Sequence, residues 1–386
     1  MALALHRAPA RAASVAVRRL ALIDFRGYAG LRLETDARPV VLSGPNGAGK
    51  TNLLEALSFL APGRGLRRAR LDEVDRSGAG PWSVVARLGS ASGAVEIRTA
   101  HLREGERGRR TVQIDGAGAD SQAALAETLS VVWLTPAMDR LFQEGAGERR
   151  RFLDRLVLSS DPAHAARLAR YAHVLRQRAK LLRAGRFDPS WLGGLERQAA
   201  AAGVAIAAAR RGTVRALAAA RIDPPEGFPS PDLALAGQVE DWLGEQSALE
   251  VEERFAEALA QSRRQDAETA TTAIGPHRSD LVVCDQASGR PAGDCSTGQQ
   301  KALLVSLVLA EARLRAAAGE RQPILLLDEV AAHLDAVRRA ALFEALDGLG
   351  AQAWLTGTDA GIFAPLGPRA QFFLVQNATL QPHDPG

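Results

Sequence analysis

Gly44-Pro45-Asn46-Gly47-Ala48-Gly49-Lys50-Thr51 is the stretch whose reading decides the fold. It fits G-x-x-x-x-G-K-[ST], between a strand-like Pro39-Val40-Val41-Leu42-Ser43 and a helix-like run that starts at Asn52 and continues Leu53-Leu54-Glu55-Ala56-Leu57. A strand before and a helix after are the context this motif requires. Its glycines let main-chain N–H groups turn inward around phosphate oxygens, with the positive end of the helix behind them. Lys50 adds a point charge and Thr51 a hydroxyl suited to Mg²⁺. Working outward, the apolar run Ile324-Leu325-Leu326-Leu327 has the length of a parallel strand buried on both faces, and it delivers Asp328 and Glu329 at its carboxyl end. Asp328 is then the candidate Mg²⁺ ligand, through water. Glu329 is the candidate base that orients and deprotonates an attacking water.

A third element lies about 240 residues beyond the loop, at Cys295-Ser296-Thr297-Gly298-Gln299-Gln300-Lys301. Ser296-Thr297-Gly298-Gln299 resembles the S-G-G-Q signature of the ATP-binding-cassette superfamily, with Thr297 in place of the first glycine. It opens a helix whose N-terminus is an anion site, or a plain serine cap. In that superfamily the signature reads the γ-phosphate held by the other subunit, so that ATP joins a head-to-tail pair. Asp335, in Ala332-His333-Leu334-Asp335, resembles the D-loop residue that touches the partner subunit.

The long gap separates two branches of the superfamily. A transporter subunit keeps its signature about a hundred residues from its phosphate loop, whereas chromosome-maintenance and repair ATPases split the head around a helical arm. Three helical stretches are expected in the gap, over 146–184, 189–221 and 232–272, broken at Asp188-Pro189 and at 222–229. A 35-residue helix spans only about 50 Å, and no heptad runs through the segment. A long coiled coil is excluded.

These strings resemble the family of the bacterial recombination mediator RecF. Leu22-Ile23-Asp24-Phe25-Arg26-Gly27-Tyr28 looks like that family's opening strand, and Gly63-Arg64-Gly65-Leu66-Arg67 like the string after its first helix. Arg149-Arg150-Arg151-Phe152-Leu153-Asp154 and Gly275-Pro276-His277-Arg278-Ser279-Asp280-Leu281 complete the set. The resemblance runs from about Val15 to Val375. It implies an α/β fold: a cassette-type ATPase head split by a short helical arm, with an antiparallel β subdomain in the N-terminal lobe. It implies a cytoplasmic, weak, DNA-stimulated ATPase that takes ATP and Mg²⁺ and pairs as an ATP-dependent homodimer on duplex, gapped or single-stranded DNA. With the RecO and RecR proteins it would load recombinase at gaps. The organisation expected is a disordered extension over 1–14, an N-terminal lobe over 15–145, the arm over 146–272 and a C-terminal lobe over 273–386. A defence-type ATPase working with an effector, and a transporter-type subunit, are the other readings.

Two departures stand out. No glutamine follows Val131-Val132-Trp133-Leu134 at the strand exit, where cassette ATPases place a Mg²⁺ ligand; Gln143 lies well beyond. No switch histidine follows Ala353-Trp354-Leu355, which leads into Thr356-Gly357-Thr358. Both point to slow hydrolysis.

Composition agrees. The chain has 386 residues, 46% apolar, with a formal charge of only +4, so net charge alone argues for no partner. Its distribution says more. From Gly145 to Arg221 there are 16 Lys and Arg against 5 Asp and Glu, and over 222–270 there are 3 against 12. The first half of the arm could present a stripe to phosphates, or the two halves could pair with each other. Arg149, Arg150 and Arg151 fall in that basic half. Arg64, Arg67, Arg68 and Arg70 stand where the related SMC heads face DNA, and are equally explained by a solvated loop. His277 and Arg278 would mark a hinge or a phosphate contact near the dimer seam. Alternating runs over 82–98 and 110–115 read as the antiparallel subdomain. Two cysteines are too few for a disulfide framework. The first fourteen residues resemble a transit peptide in composition, and an extension fits the rest better.

Overall fold

The computed structural model describes residues 15–384, apart from 91–92, 105–106, 186–187 and 221–222. The extension expected over 1–14 lies outside the described residues, whereas the break expected at 222–229 is seen as non-helical chain over 223–229.

The chain opens with β1 (Ala16–Phe25) and β2 (Tyr28–Glu34), a hairpin whose turn is held by Arg26 at a positive φ. Next come β3 (Val40–Ser43), α1 (Lys50–Ser58) and the single turn α2 (Leu71–Val74). β4 (Ser83–Ser90), β5 (Gly93–Glu104), β6 (Arg107–Ile114) and β7 (Ala117–Gly118) then join the first hairpin in one antiparallel sheet, ordered β2-β1-β4-β5-β6-β7. The period-2 pattern of β4, with Val84, Ala86 and Leu88 buried, makes it one-sided. That is the expected antiparallel subdomain. α3 (Ala124–Thr128) and β8 (Val131–Leu134) follow.

The arm departs from the three helical stretches expected. Its first stretch is two helices, α4 (Ala146–Ser160) and α5 (His164–Arg183), because Pro162 supplies no N–H to continue a helix across 161–163. α6 (Pro189–Ala219) starts as expected, with Asp188 accepting from the N–H groups of Ser190 and Trp191. The third stretch opens as a strand, β9 (Pro231–Ala236), before α7 (Gln238–Glu245), α8 (Ala248–Gln261) and α9 (Arg263–Thr269). β9 pairs antiparallel with β10 (Asp280–Asp285), Leu233 opposite Val283. Asp232-Leu233-Ala234-Leu235-Ala236 alternates with the period of a strand, and only a partner distant in sequence gives it a ladder. α5, α6 and α8 close over Tyr171, Val174, Ala199, Val204 and Phe255.

The chain returns with α10 (Thr297–Ala317), β11 (Ile324–Leu327), α11 (Ala336–Leu349), β12 (Ala353–Gly357), β13 (Gln371–Gln376) and β14 (Thr379–Pro382). The second large sheet is ordered β14-β13-β3-β12-β11-β8, parallel except for β14. Strands from both ends of the chain therefore interleave, and the head is one body split by the arm. Its inner strands are apolar on both faces, as two-sided burial demands. Leu325 and Leu327 pack with the helices of the C-terminal half, while Ile324 and Leu326 pack with α1 and the antiparallel sheet. Every parallel strand presents its carboxyl end to the same edge, where β3, β11 and β12 release the residues singled out above.

Candidate nucleotide site

β3 is buried at all four positions and ends at Gly44, whose φ is +143°. A Cβ there would come within 2.2 Å of the Val375 carbonyl oxygen, so the loop leaves the sheet at a point that only glycine can occupy. Gly49, at φ +112°, is the second such position, since a Cβ would meet the Tyr28 hydroxyl at 2.8 Å. Between them run Pro45, Asn46, Gly47 and Ala48. Lys50 is buried and donates to the carbonyls of Gly44, at 2.6 Å, and Pro45, at 2.9 Å. Burial pulls its pKa down, and the charges of Glu329 and Asp328 oppose that pull. Asn52 accepts from Arg67 at 2.7 Å.

The carboxyl edge gathers four side chains from two strands and a helix: Asp328 and Glu329 after β11, Thr356 on β12 and Thr51 on α1. The Thr51 hydroxyl donates to Asp328, with 3.0 and 3.1 Å to its two oxygens. The Thr356 hydroxyl donates to Asp328 Oδ1 at 2.7 Å and accepts the Glu329 N–H at 2.9 Å. Burial raises the Asp328 pKa, and the hydrogen bonds from Thr356 and Thr51 hold it back only in part. Glu329 itself adopts the left-handed conformation, φ 51° and ψ 28°, which is strained for a residue with a Cβ. The strain turns the chain away from the sheet immediately after Asp328. Thr356 was missed as a functional group by the sequence reading, where it marked only a missing histidine.

Ser296 caps α10 in a reciprocal box with Gln299, the Gln299 N–H reaching Ser296 Oγ at 3.3 Å and the Ser296 N–H reaching Gln299 Oε1 at 3.0 Å. Ser296, Thr297 and Gln299 are exposed and Gly298 is half-buried, so this helix end faces outward. One turn on, the buried Lys301 donates to the Glu329 carbonyl at 3.2 Å and lies 3.7 Å from Asp139. The signature helix thus touches the Glu329 backbone of its own chain. Asp335 is exposed and caps α11 through the Arg338 N–H, at 2.8 Å.

The arginines divide. Arg67 binds the fully buried Glu55, which Arg26 also grips with two hydrogen bonds. Arg68 pairs with Glu148 at 3.0 Å, and both line a cleft of about 530 Å³ together with Thr51, Asp328 and Glu329. Arg64 and Arg70 lie instead at a second cleft, about 680 Å³, on the antiparallel sheet, which contains no phosphate-loop residue. Arg149 is engaged inside the protein, through two bonds of 2.7 Å to Asp280, and Arg150 donates to the Ser279 carbonyl. Arg151 pairs with Glu148. The outward basic row on the arm is a different one: Arg170, His173, Arg176, Lys180 and Arg183, all exposed along α5. His277 joins arm to head, its Nδ1 bonded to the Tyr171 hydroxyl and its Nε2 to the Thr272 carbonyl, and burial lowers its pKa.

With this geometry in view, a family model described as "RecF/RecN/SMC N terminal domain" matches residues 16–364. A protein of Allorhizobium ampelinum named "DNA replication and repair protein RecF" is 51% identical over 367 residues, 94% of this chain and 98% of that one. The chain belongs to the RecF family. A Mesorhizobium japonicum RecF of the same name is 51% identical over 370 residues, covering 95% and 97%. Among solved structures, one described as the recombination mediator protein RecF-ATPrS in the RecFOR pathway superposes with a TM-score of 0.80 at 22% identity, over 96% of this chain and 99% of that one. The Smc head domain of Pyrococcus furiosus superposes at 0.53 and 15% identity, over 95% of each chain. At such identities the likeness is one of fold: the head is folded as the RecF and SMC heads are. Among the described residues no helix is long and apolar enough to cross a membrane.

Proposed function

We propose that this chain is an ATP-switched DNA-binding protein of recombinational repair and replication restart. Two copies pair head to tail on DNA with ATP and Mg²⁺ between them, and with RecO- and RecR-type partners they load recombinase at gaps. The single observation that carries the reading is the convergence of Thr51, Asp328, Thr356 and Glu329 at one sheet edge, beside a glycine cradle that a Cβ would fill.

The donor set fits the cation. A hydroxyl and a carboxylate within hydrogen-bond distance are hard oxygen ligands, and Mg²⁺ needs only one or two from the protein when phosphates and waters supply the rest. Mg²⁺ held at Thr51 and Asp328 would neutralise the charge of the phosphates. Lys50, now satisfied by two loop carbonyls, is within its own loop's reach to exchange them for phosphate oxygens. Glu329, held by Thr356 and by Lys301 at its backbone, orients the attacking water and accepts its proton. Ser296, Thr297, Gly298 and Gln299 supply the partner's half of the site, and Asp335 touches the partner beside it. Opening that half requires Gln299 to release Ser296 first.

Hydrolysis in this reading is slow, because no switch histidine follows Ala353-Trp354-Leu355 and no glutamine stands at the exit of β8. Arg64, Arg67, Arg68 and Arg70 together with the α5 row supply the contact to DNA phosphates, which makes binding fall steeply with salt.

The test is the mass of Glu329→Gln protein in solution with ATP and Mg²⁺, with and without a gapped duplex. A mass that doubles with ATP and holds DNA in a salt-sensitive way is expected. Ser296→Arg should bind ATP and stay monomeric. ATP-dependent dimers of that variant would sink the trans-acting signature.

A further inference from the structure

The cleft beside Asp328 and Glu329 is also lined by Arg155, which comes from the first helix of the arm. Its guanidinium is held in an unusual way. It lies over the Trp133 ring, 4.4 Å from its centre, and 5.7 Å from the centre of Phe152, and among the described residues its one hydrogen bond is to the Met138 sulfur at 3.5 Å. Its Nε is fully buried with no partner. Burial pulls its pKa down to about 9.

Two carboxylates of its own helix are committed elsewhere. Glu148 is shared by Arg68 and Arg151, and Asp154 is taken by Arg210, in two hydrogen bonds, and by His164. Cation–π contact with two rings offsets part of the cost of burying such a charge, but an arginine without a carboxylate is short of an anion. The outermost phosphate of a nucleotide bound at the Thr51, Asp328 and Glu329 edge would bring a further anion into this same cleft.

We propose that Arg155 is a specificity-determining contact for the terminal phosphate of ATP, leaving the Met138 sulfur to bind it and so separating ATP from ADP. The inference rests on the nucleotide reading of this cleft. It also places the link to the arm. Arg155 and Asp154 are neighbours on α4, one facing the nucleotide cleft and the other locking α4 to α5 and α6 through His164 and Arg210. A pull on Arg155 is a pull on the arm.

The experiment measures ATP and ADP affinities, with Mg²⁺, of the full chain, Arg155→Met, Arg155→Lys and Lys50→Ala by competition with a fluorescent nucleotide. Loss of one charge-assisted contact predicts about a tenfold or greater loss for ATP in Arg155→Met, with ADP changed less than about twofold. Arg155→Lys keeps the charge without the planar fork, and loses about threefold for ATP alone. It carries the test if Arg155→Met does not fold. The melting temperature of the nucleotide-free Arg155→Met protein should equal or exceed that of the parent. ATP and ADP falling together, or neither falling, would overturn the proposal and leave Arg155 a packing residue. Unchanged ATP binding in Lys50→Ala would overturn the site reading itself.

Discussion

The arm and the nucleotide cleft both bury charge, and they treat it in opposite ways. In the arm Arg178 is fully buried among α5, α6, α8 and α9. It pairs with Glu196 at 3.1 Å and Asp266 at 2.6 Å and donates to the Leu259 carbonyl at 2.6 Å. Arg263 completes the set on Glu196. At the nucleotide site, among the described residues, the Lys50 ammonium bonds to carbonyls, the Asp328 carboxylate to hydroxyls, and Arg155 meets rings and a sulfur. A network closed on itself holds helices in one arrangement. A set of charges with neutral partners suits ions of opposite sign, and binding phosphate and metal there stabilises the folded chain.

The sharpest way to break this contrast is Arg178→Ala. It leaves Asp266 without its cation in the interior, and breaking a buried pair from one side costs about 3–5 kcal/mol. Urea unfolding should show that loss, with ATP affinity unchanged in whatever protein remains folded. A loss below about 1 kcal/mol would put the arm's charges in the same class as those of the cleft.

Asp328→Asn should act in the reverse sense. Burial raises the folded pKa of Asp328 above its ordinary value of 3.8. A carboxyl raised in this way contributes stability that is present below the ordinary value and lost as pH rises through the folded pKa. At pH 8, therefore, the nucleotide-free variant should be more stable than the parent by about 1 kcal/mol, and the gain should vanish near pH 4. The same variant should lose the extra thermal stabilisation that Mg²⁺ adds to ATP. Thermal melts across pH, with and without nucleotide, read both effects.

Thr356→Val is the smallest step. It removes the hydroxyl that joins Asp328 to the Glu329 N–H while keeping the shape of the strand. Hydrolysis should slow by roughly tenfold, the worth of one hydrogen bond to a charged group, while ATP affinity stays within about twofold. Steady-state phosphate release and nucleotide titration check the two halves. An equal loss in both would assign Thr356 to binding rather than to holding Glu329.

Much of the site was legible because it is local. Gly44 to Thr51 contains its own strand exit, turn and helix start, and Ile324 to Glu329 its own strand and exit, so a few residues in order carry the geometry. Ser296 was legible as a helix cap, and the structure adds Gln299, three residues on, as its reciprocal partner. The basic triplet at 149–151 was misleading for the same reason that it was visible. Three arginines in a row look like a surface, but on α4 two of them turn back into the fold, toward Asp280 and the Ser279 carbonyl some 130 residues away. β9 was read as helix because its partner strand β10 lies beyond three intervening helices. Arg155 gave no signal, since its character comes from the carboxylates that neighbours have already taken.

The amino-acid sequence by itself determined the class of the fold, the order of its parts and the phosphate-binding chemistry, because backbone conformation at glycines, strand burial on two faces and helix capping are all set within a few residues. Only the tertiary structure decided which charges are finished and which are open. Thr51 meets Asp328 across 277 residues and Arg178 meets Asp266 across 88. Whether a buried ion is paired depends on what the rest of the chain brings within about 3 Å of it, a distance that no spacing along the chain encodes.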